Sequence, residues 1–157
     1  MRKRILRPAE AVRADPGLDV ASLATVLVSS ESEDYPIENA FDTDRGPGGS
    51  YWQAGAAGAQ TIVVEFDTPQ ALERVCLEIE ERDTARRQEL ALETSCDGGE
   101  TYREHVRQEY NFSPPGTTSE REEWRVPIQA VTHLRLRIVP EKSGGAARAR
   151  LTSLALY

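Results

Sequence analysis

Hydrophobic residues recur at every second position along most of this chain, rather than at the spacing of three or four that a helix would require. Polar or charged residues mostly stand between them, so each stretch would have one apolar and one polar face. Such stretches are typical of antiparallel strands that cover a core on one side and meet water on the other. The apolar positions are Ile62, Val64 and Phe66; Val75, Leu77 and Ile79; Leu134, Leu136 and Ile138; and, in shorter form, Leu90 and Leu92; Trp124 and Val126; Leu154 and Leu156.

Turn-forming residues separate these segments. The chain contains 11 Gly and 9 Pro, and its main breaks fall at residues 46–49, 97–99, 113–116 and 143–145. We count about eight strand segments, which predicts an all-β fold, an antiparallel β-sandwich of the jelly-roll type. One or two short helical turns would complete it, one over residues 36–41, where Pro36 suits a first turn. We expect a single domain over residues 1–157, with 1–21 forming an N-terminal extension or an edge strand.

Charge and composition exclude several classes of function. The chain has 157 residues, with 19 Lys and Arg against 26 Asp and Glu, for a net charge of −7. This acidic balance argues against nucleic-acid binding, which normally needs a basic surface. No stretch approaches the roughly 20 apolar residues of a membrane span. The basic residues at the N-terminus are not followed by the apolar segment of an export signal, since the apolar run stops at Arg7. Only Cys76 and Cys96 are present, so we expect a cytoplasmic protein with reduced thiols. We also expect it to be a monomer.

A series of short motifs follows the order found in one known family. Ser29 and Ser30 precede the sequence Tyr-Pro-Ile-Glu-Asn-Ala-Phe-Asp at 35–42, and Tyr51-Trp52 follows. Residues 95–102, Ser-Cys-Asp-Gly-Gly-Glu-Thr-Tyr, then read as a hairpin. This order resembles the discoidin, or coagulation factor 5/8 type C, domain family, as a bacterial-type intracellular member. The resemblance spans residues 22–157, with matching strands at 60–67, 73–80, 89–102, 133–140 and 151–157.

The resemblance implies a galactose-binding-like sandwich that binds rather than catalyses. Ligands in the family include sugars, phospholipid head groups and proteins, held by loops at one end of the sandwich. Sugar-binding members often carry a structural calcium, and Asp42 and Asp44 match two of its ligands. Ser153 stands where the family places a glutamate, so the calcium site lacks one carboxylate. Apart from this calcium we expect no cofactor.

Two loops match the ligand-binding loops of the sugar-binding members. They lie at residues 81–87 and 109–116, and arginine, amide and aromatic groups there would suit a sugar's hydroxyls and its C–H face. In the alternative interpretation the arginines pair with Glu80, Glu81 and Asp83 at the surface, while Phe112 closes the end of the core. The predicted ligand-binding residues are Tyr35, Arg82, Arg86, Arg87, Tyr110, Asn111 and Phe112.

The aromatic residues of the second loop distinguish two functions. If Tyr110 and Phe112 point outward beside Pro114 and Pro115, they form a recognition surface; if they are buried, they only cap the sandwich. Outward aromatics on a flat patch would favour a protein-interaction module, similar to the N-terminal domain of a DNA-repair scaffold. Trp52 and Trp124 are expected in the core.

Catalytic motifs are absent from the sequence. It has no nucleophile elbow, phosphate-binding loop, zinc-protease helix or dinucleotide fingerprint. Cys76, Cys96, His105 and His133 are zinc-ligand types, but they lack the close spacing of structural sites. Acids are plentiful, yet no pair is singled out for glycoside hydrolysis. We therefore expect a non-catalytic module that binds carbohydrate, with a protein partner as the alternative and a carboxylate enzyme ranked below both.

Overall fold

The computed structural model describes residues 17–42 and 50–157, and in this part of the chain strands dominate. The predicted strand periodicity is confirmed, as is a short helix close to residues 36–41. The elements are α1 (Val20–Leu23), β1 (Ala24–Val28), α2 (Glu38–Phe41), β2 (Trp52–Gln53), β3 (Gln60–Glu80), β4 (Arg86–Ser95), β5 (Arg103–Phe112), β6 (Ser119–Val139), β7 (Arg150–Leu151) and β8 (Ser153–Leu156).

The strands form an antiparallel sandwich in which two long strands serve both layers. One layer has the order β1-β3-β6-β4-β5, β8 pairs with β3, and β2 and β7 form a separate ribbon. The pairing of β3 with β6 shifts register between Glu65 and Arg74. Such irregularities bend a strand, so the first half of β3 lies in one layer and its second half pairs with β8 in the other. The sequence pattern had suggested two separate strands here.

The core lies between the inner faces of the two layers. The alternating residues Ile62, Val64, Leu134, Leu136 and Ile138 are all buried, as the periodicity predicted. On the partner layer Val75, Leu77 and Ile79 are buried in the same cluster. Trp52 is fully buried, and its indole Nε1 donates to the Ser30 carbonyl at 3.2 Å. Trp124 is only partly buried and packs against the edge of the core.

The hairpin between β4 and β5 turns through residues 97–99, as expected. Gly98 and Gly99 have φ of 78° and 86°, values that favour glycine. Asp97 organises the turn: the Ser95 hydroxyl donates to its Oδ1 at 2.6 Å and the Thr101 N–H at 2.9 Å. The Thr101 hydroxyl also donates to this carboxylate. These bonds, first those from Ser95 and then those from Thr101, lower the pKa of Asp97 below its ordinary value.

The structure describes only residues 17–21 of the predicted N-terminal extension or edge strand over residues 1–21. The Leu18 N–H donates to the Leu156 carbonyl at 2.7 Å, so the chain enters beside β8. Residues 1–16 lie outside the described part, and the edge strand proposed for 1–21 stays a prediction. Among the described helices, none has the length and apolar character needed to cross a membrane.

Candidate functional site

Four connecting segments converge at one end of the sandwich, which we call the loop end. They are residues 29–36, 81–85, 113–118 and 140–149. The Glu81 N–H donates to the Thr118 carbonyl at 2.7 Å, and the Lys142 N–H donates to the Arg87 carbonyl at 2.9 Å. The Arg86 side chain reaches the Arg148 carbonyl at 2.8 Å. These bonds bring the β3–β4 loop against both the β5–β6 and the β6–β7 connections.

Two tyrosines form the aromatic part of the loop end. The rings of Tyr35 and Tyr51 are stacked, with centroids 4.4 Å apart and planes 10° from parallel. Tyr35 is held by its backbone, because its carbonyl accepts the Gln53 N–H at 3.1 Å. Burial, and then a side-chain hydrogen bond with Tyr35, raise the pKa of Tyr51. The stacked pair therefore forms an aromatic surface fixed at the loop end.

An arginine and an aspartate stand beside this aromatic pair. The Arg150 guanidinium carbon lies 5.0 Å from the centre of the Tyr51 ring, and Arg150 Nη1 lies 3.6 Å from Asp83 Oδ2. Asp83 is 74% exposed and Arg150 22% exposed, so the carboxylate meets solvent while the guanidinium is mostly enclosed. Tyr35, Tyr51, Asp83 and Arg150 together form the loop-end site. It combines a ring face, a planar donor and an exposed acceptor.

Beneath this site lies a buried ion pair between Glu81 and Arg86. Their side chains are 2% and 7% exposed and contact each other directly. Glu81 Oε1 also accepts the N–H groups of Asp83 at 3.1 Å and Thr84 at 3.0 Å. Burial lowers the pKa of Arg86, opposed by the nearby Glu81 carboxylate. The prediction that Arg86 binds ligand directly is not supported, because its side chain is 7% exposed and its two terminal nitrogens face Glu81 and the Arg148 carbonyl.

The other predicted arginines do not join the loop-end site. Arg82 is exposed and pairs with Glu80 at 3.2 Å, as the surface-pair interpretation proposed. Arg87 lies directly across the strands from Asn111, and its Nε is 3.6 Å from Glu109. Neighbouring residues of a strand point to opposite faces, so Arg87 and Asn111 project from the outer face of the sheet while Arg86 points inward.

Tyr110 and Phe112 are core residues, which corrects their prediction as ligand-binding residues. They are 3% and 2% exposed, and their ring centroids lie 6.4 Å apart. Burial strongly raises the pKa of Tyr110, and its hydroxyl has no hydrogen-bond partner among the described residues. Both belong to the inward-facing positions of β5, so they cap the sandwich as the alternative interpretation held.

Metal binding stays a prediction. Asp44 falls in residues 43–49, outside the described part, and Asp42 is the last residue before it. Within residues 17–42 and 50–157, no three His, Cys, Asp or Glu side chains are grouped as a metal site would need. Cys96 is exposed, with its Sγ 3.6 Å from the Gln129 carbonyl, and His105 contacts the Thr94 hydroxyl at 2.6 Å. The zinc-ligand types seen in the sequence thus form no such group.

Of the four residues of the loop-end site, the sequence predicted Tyr35 as ligand-binding. Asp83 was placed in a predicted binding loop, but only as a partner of the arginines. Tyr51 and Arg150 were not predicted. The local signal for Tyr51 and Arg150 is weak, because it is only that each immediately precedes a buried strand residue, Trp52 or Leu151. Trp52 pairs with Leu151 and Gln53 with Arg150 across the antiparallel β2–β7 ribbon, so Tyr51 and Arg150 lie diagonally across it on the same face. Finding this pairing requires the fold, since the two strands are far apart in the sequence.

The fold is that of a discoidin-like β-sandwich. The sequence matches the family model of the F5/8 type C domain over residues 25–152, and the chain belongs to this family. No curated protein sequence matches it.

Solved structures of the same architecture come from Clostridium perfringens. The third family 32 carbohydrate-binding module of a family 31 glycoside hydrolase is 19% identical, with a TM-score of 0.65 and coverage of 97% of this chain and 99% of that one. A family 32 module of a family 89 glycoside hydrolase, in complex with GalNAc-β-1,3-galactose, is 18% identical (TM-score 0.61; coverage 90% and 99%). The family 32 module of NanJ, in complex with galactose, is 15% identical (TM-score 0.56; coverage 86% and 93%).

Proposed function

We propose that this domain is a non-catalytic carbohydrate-binding module whose ligand binds at the loop-end site. The observation that carries the proposal is the placement of Arg150 and Asp83 beside the stacked rings of Tyr35 and Tyr51. A sugar presents an apolar C–H face and hydroxyls that both donate and accept hydrogen bonds. A ring face, a guanidinium and a carboxylate at one place match these three requirements.

The two tyrosines have different parts in this proposal. Tyr51 is already engaged, with the ring of Tyr35 stacked against it and the Arg150 guanidinium also over it. Tyr35 has one face on Tyr51, so its other face is the platform offered to a sugar. Tyr51 then supports the Tyr35 ring on the opposite face. Because Tyr35 is already held in place by this stacking, its side chain loses little conformational freedom when ligand binds.

Carbohydrate as the ligand class is supported by the structural neighbours, two of which hold galactose or GalNAc-β-1,3-galactose. Catalysis is disfavoured by the carboxylates at the loop end. Glycoside hydrolysis ordinarily needs a pair of carboxyl groups facing the scissile bond. Here Asp83 is exposed, whereas Glu81 is buried and bound to Arg86.

The protein-interaction alternative required Tyr110 and Phe112 on the surface. Both rings are buried, so that surface is not formed by them. Leu27 is the large apolar side chain left exposed in the described part of the chain, and a single such residue is ordinary for a monomer.

The test is a titration of the ¹⁵N-labelled chain with galactose, N-acetylgalactosamine, GalNAc-β-1,3-galactose and glucose, followed by NMR. We expect at least one galactose-type sugar to shift the backbone amides of Tyr35, Tyr51, Asp83 and Arg150 in a saturable way. Incubation with aryl glycosides of the same sugars should release no phenol. Shifts confined to other surfaces, or none with any sugar, would overturn the proposal.

A further inference from the structure

We infer that Glu81 and Arg86 are positioning residues for ligand binding, acting together as a buried brace that sets Asp83 opposite Arg150. This inference rests on the proposed function, because it assigns how the loop-end site is held in shape. The brace itself is a property of the fold and can be tested without a ligand. Neither residue would touch the sugar.

Glu81 fixes the loop that carries Asp83. It is the first residue after β3, and its Oε1 accepts the N–H groups of both Asp83 and Thr84, at 3.1 and 3.0 Å. Its own N–H donates to the Thr118 carbonyl at 2.7 Å. One buried side chain thus sets the backbone of the next three residues, which turn the chain from β3 into β4.

Arg86 fixes the segment that carries Arg150. Its Nη1 donates to the Arg148 carbonyl at 2.8 Å, two residues before Arg150 in β7. Its other terminal nitrogen contacts Glu81. The planar guanidinium can make both contacts at once because its donors form a rigid fork. Loops from distant parts of the sequence are therefore joined through one pair of side chains.

The direct contact between Asp83 and Arg150 holds Asp83 only weakly, whereas Arg150 is also held by strand pairing with Gln53. Asp83 is 74% exposed, and the ion pair between them is long, at 3.6 Å. Exposed pairs of this kind contribute little on their own. The position of Asp83 relative to Arg150 is consequently set by the Glu81–Arg86 pair beneath them, whose side chains are almost entirely buried. Holding polar groups in place before binding reduces the entropy that binding costs.

The burial of the brace predicts a distinctive response to substitution. Removing one partner of a buried ion pair leaves the other charge uncompensated, whereas replacing both by apolar residues often restores stability. Stability and ligand binding should therefore separate. A double substitution can recover the folded state but cannot recreate the hydrogen bonds to Asp83, Thr84 and the Arg148 carbonyl.

The experiment compares Glu81→Gln with the matched control Glu93→Gln. Glu93 is also buried and forms ion pairs with two arginines, Arg135 at 2.6 Å and Arg137 at 3.0 Å, but it lies on the outer face of the sheet. We expect both variants to unfold at lower temperature. Glu81→Gln should weaken binding of the sugar found in the NMR titration about tenfold or more, against less than about twofold for Glu93→Gln.

A double variant, Glu81→Leu with Arg86→Met, still tests the effect of the brace on sugar affinity if Glu81→Gln folds poorly. Its thermal stability should return toward that of the natural chain while its sugar affinity stays low. Equal loss of affinity in Glu81→Gln and Glu93→Gln, or full affinity in the double variant, would overturn the brace.

Amide hydrogen exchange separates failure of the brace from failure of the proposed function. In the absence of any sugar, the double variant Glu81→Leu with Arg86→Met, which has no acceptor for the N–H groups of Asp83 and Thr84, should accelerate exchange at both and shift the amide of Arg150. Glu93→Gln should not. If no sugar binds the natural chain, the proposed function fails while this result still supports the brace. If these three amides are unchanged in the double variant, the brace is wrong whatever the ligand.

Discussion

Tyr35 and Tyr51 stack face to face, with ring centroids 4.4 Å apart, although α2 and the whole of residues 43–49 separate them in the chain. Tyr35 sits before the helix and Tyr51 directly before Trp52, which is buried. The stacking therefore joins the segment that follows β1 to the β2–β7 ribbon. It places an aromatic ring beside Arg150 and Asp83, so that the ring face, the guanidinium and the carboxylate lie together.

Tyr35→Ala should weaken sugar binding about three- to tenfold, because an aromatic contact contributes on the order of 0.5–1.5 kcal/mol beyond its area. Tyr35→Phe retains the ring and is the matched control for the platform. Isothermal titration calorimetry measures both affinities, and circular dichroism melting monitors the fold. A loss of affinity in Tyr35→Phe as large as in Tyr35→Ala would assign the effect to the hydroxyl instead of the ring face.

Arg150→Gln should weaken binding more than the loss of the ring, by about tenfold or more, since hydrogen bonds to charged groups contribute about 1.5–3 kcal/mol. Arg148→Gln is the control, because the Arg148 side chain is exposed and only its backbone carbonyl contacts Arg86. Titration calorimetry with the same sugar compares the two. Similar losses in both variants would point to general positive charge rather than to a directed guanidinium.

Tyr110→Phe should leave sugar affinity unchanged and raise the free energy of unfolding by up to about 1 kcal/mol. The hydroxyl it removes is buried without a hydrogen-bond partner among the described residues, and an unsatisfied buried group is costly. Phe112→Ala should lower the free energy of unfolding by about 3–5 kcal/mol through a core cavity. Urea unfolding measures both. Weaker sugar binding by a fully folded Tyr110→Phe would show instead that the Tyr110 hydroxyl contributes to ligand binding.

Asp97 should make the β4–β5 hairpin sensitive to acid. Its pKa is lowered in the folded chain by the Ser95 and Thr101 bonds, so its contribution to stability is present above the ordinary aspartate value and is lost as pH falls through the native one. We expect Asp97→Asn to reduce stability at pH 7 and to weaken the decline below about pH 4. Urea unfolding at pH 7 and pH 3 measures the change. Thr101→Val should reproduce part of it, and an unchanged acid profile in Asp97→Asn would contradict the assignment.

The strand architecture was predictable because side-chain periodicity is a local property. Ile62, Val64, Leu134 and Leu136 alternate in the sequence, and the same alternation decides which face of each strand is buried. The order of motifs then predicted the family. The sequence could not show that residues 60–80 form one bent strand, because turn residues such as Pro69 look alike in a loop and in an irregular strand.

The sequence by itself determined the all-β sandwich, its turns and the acidic surface, since each depends on neighbours along the chain. Only the tertiary structure decided which side chains meet at the loop end. Arg86 and Arg87 are adjacent in the sequence, yet one is enclosed with Glu81 and the other lies outside beside Asn111. Tyr110 and Phe112 resembled a binding loop in the sequence but face the core. The register of β4 against β5 sets these directions, and a register is fixed by pairing between distant strands rather than by any short segment.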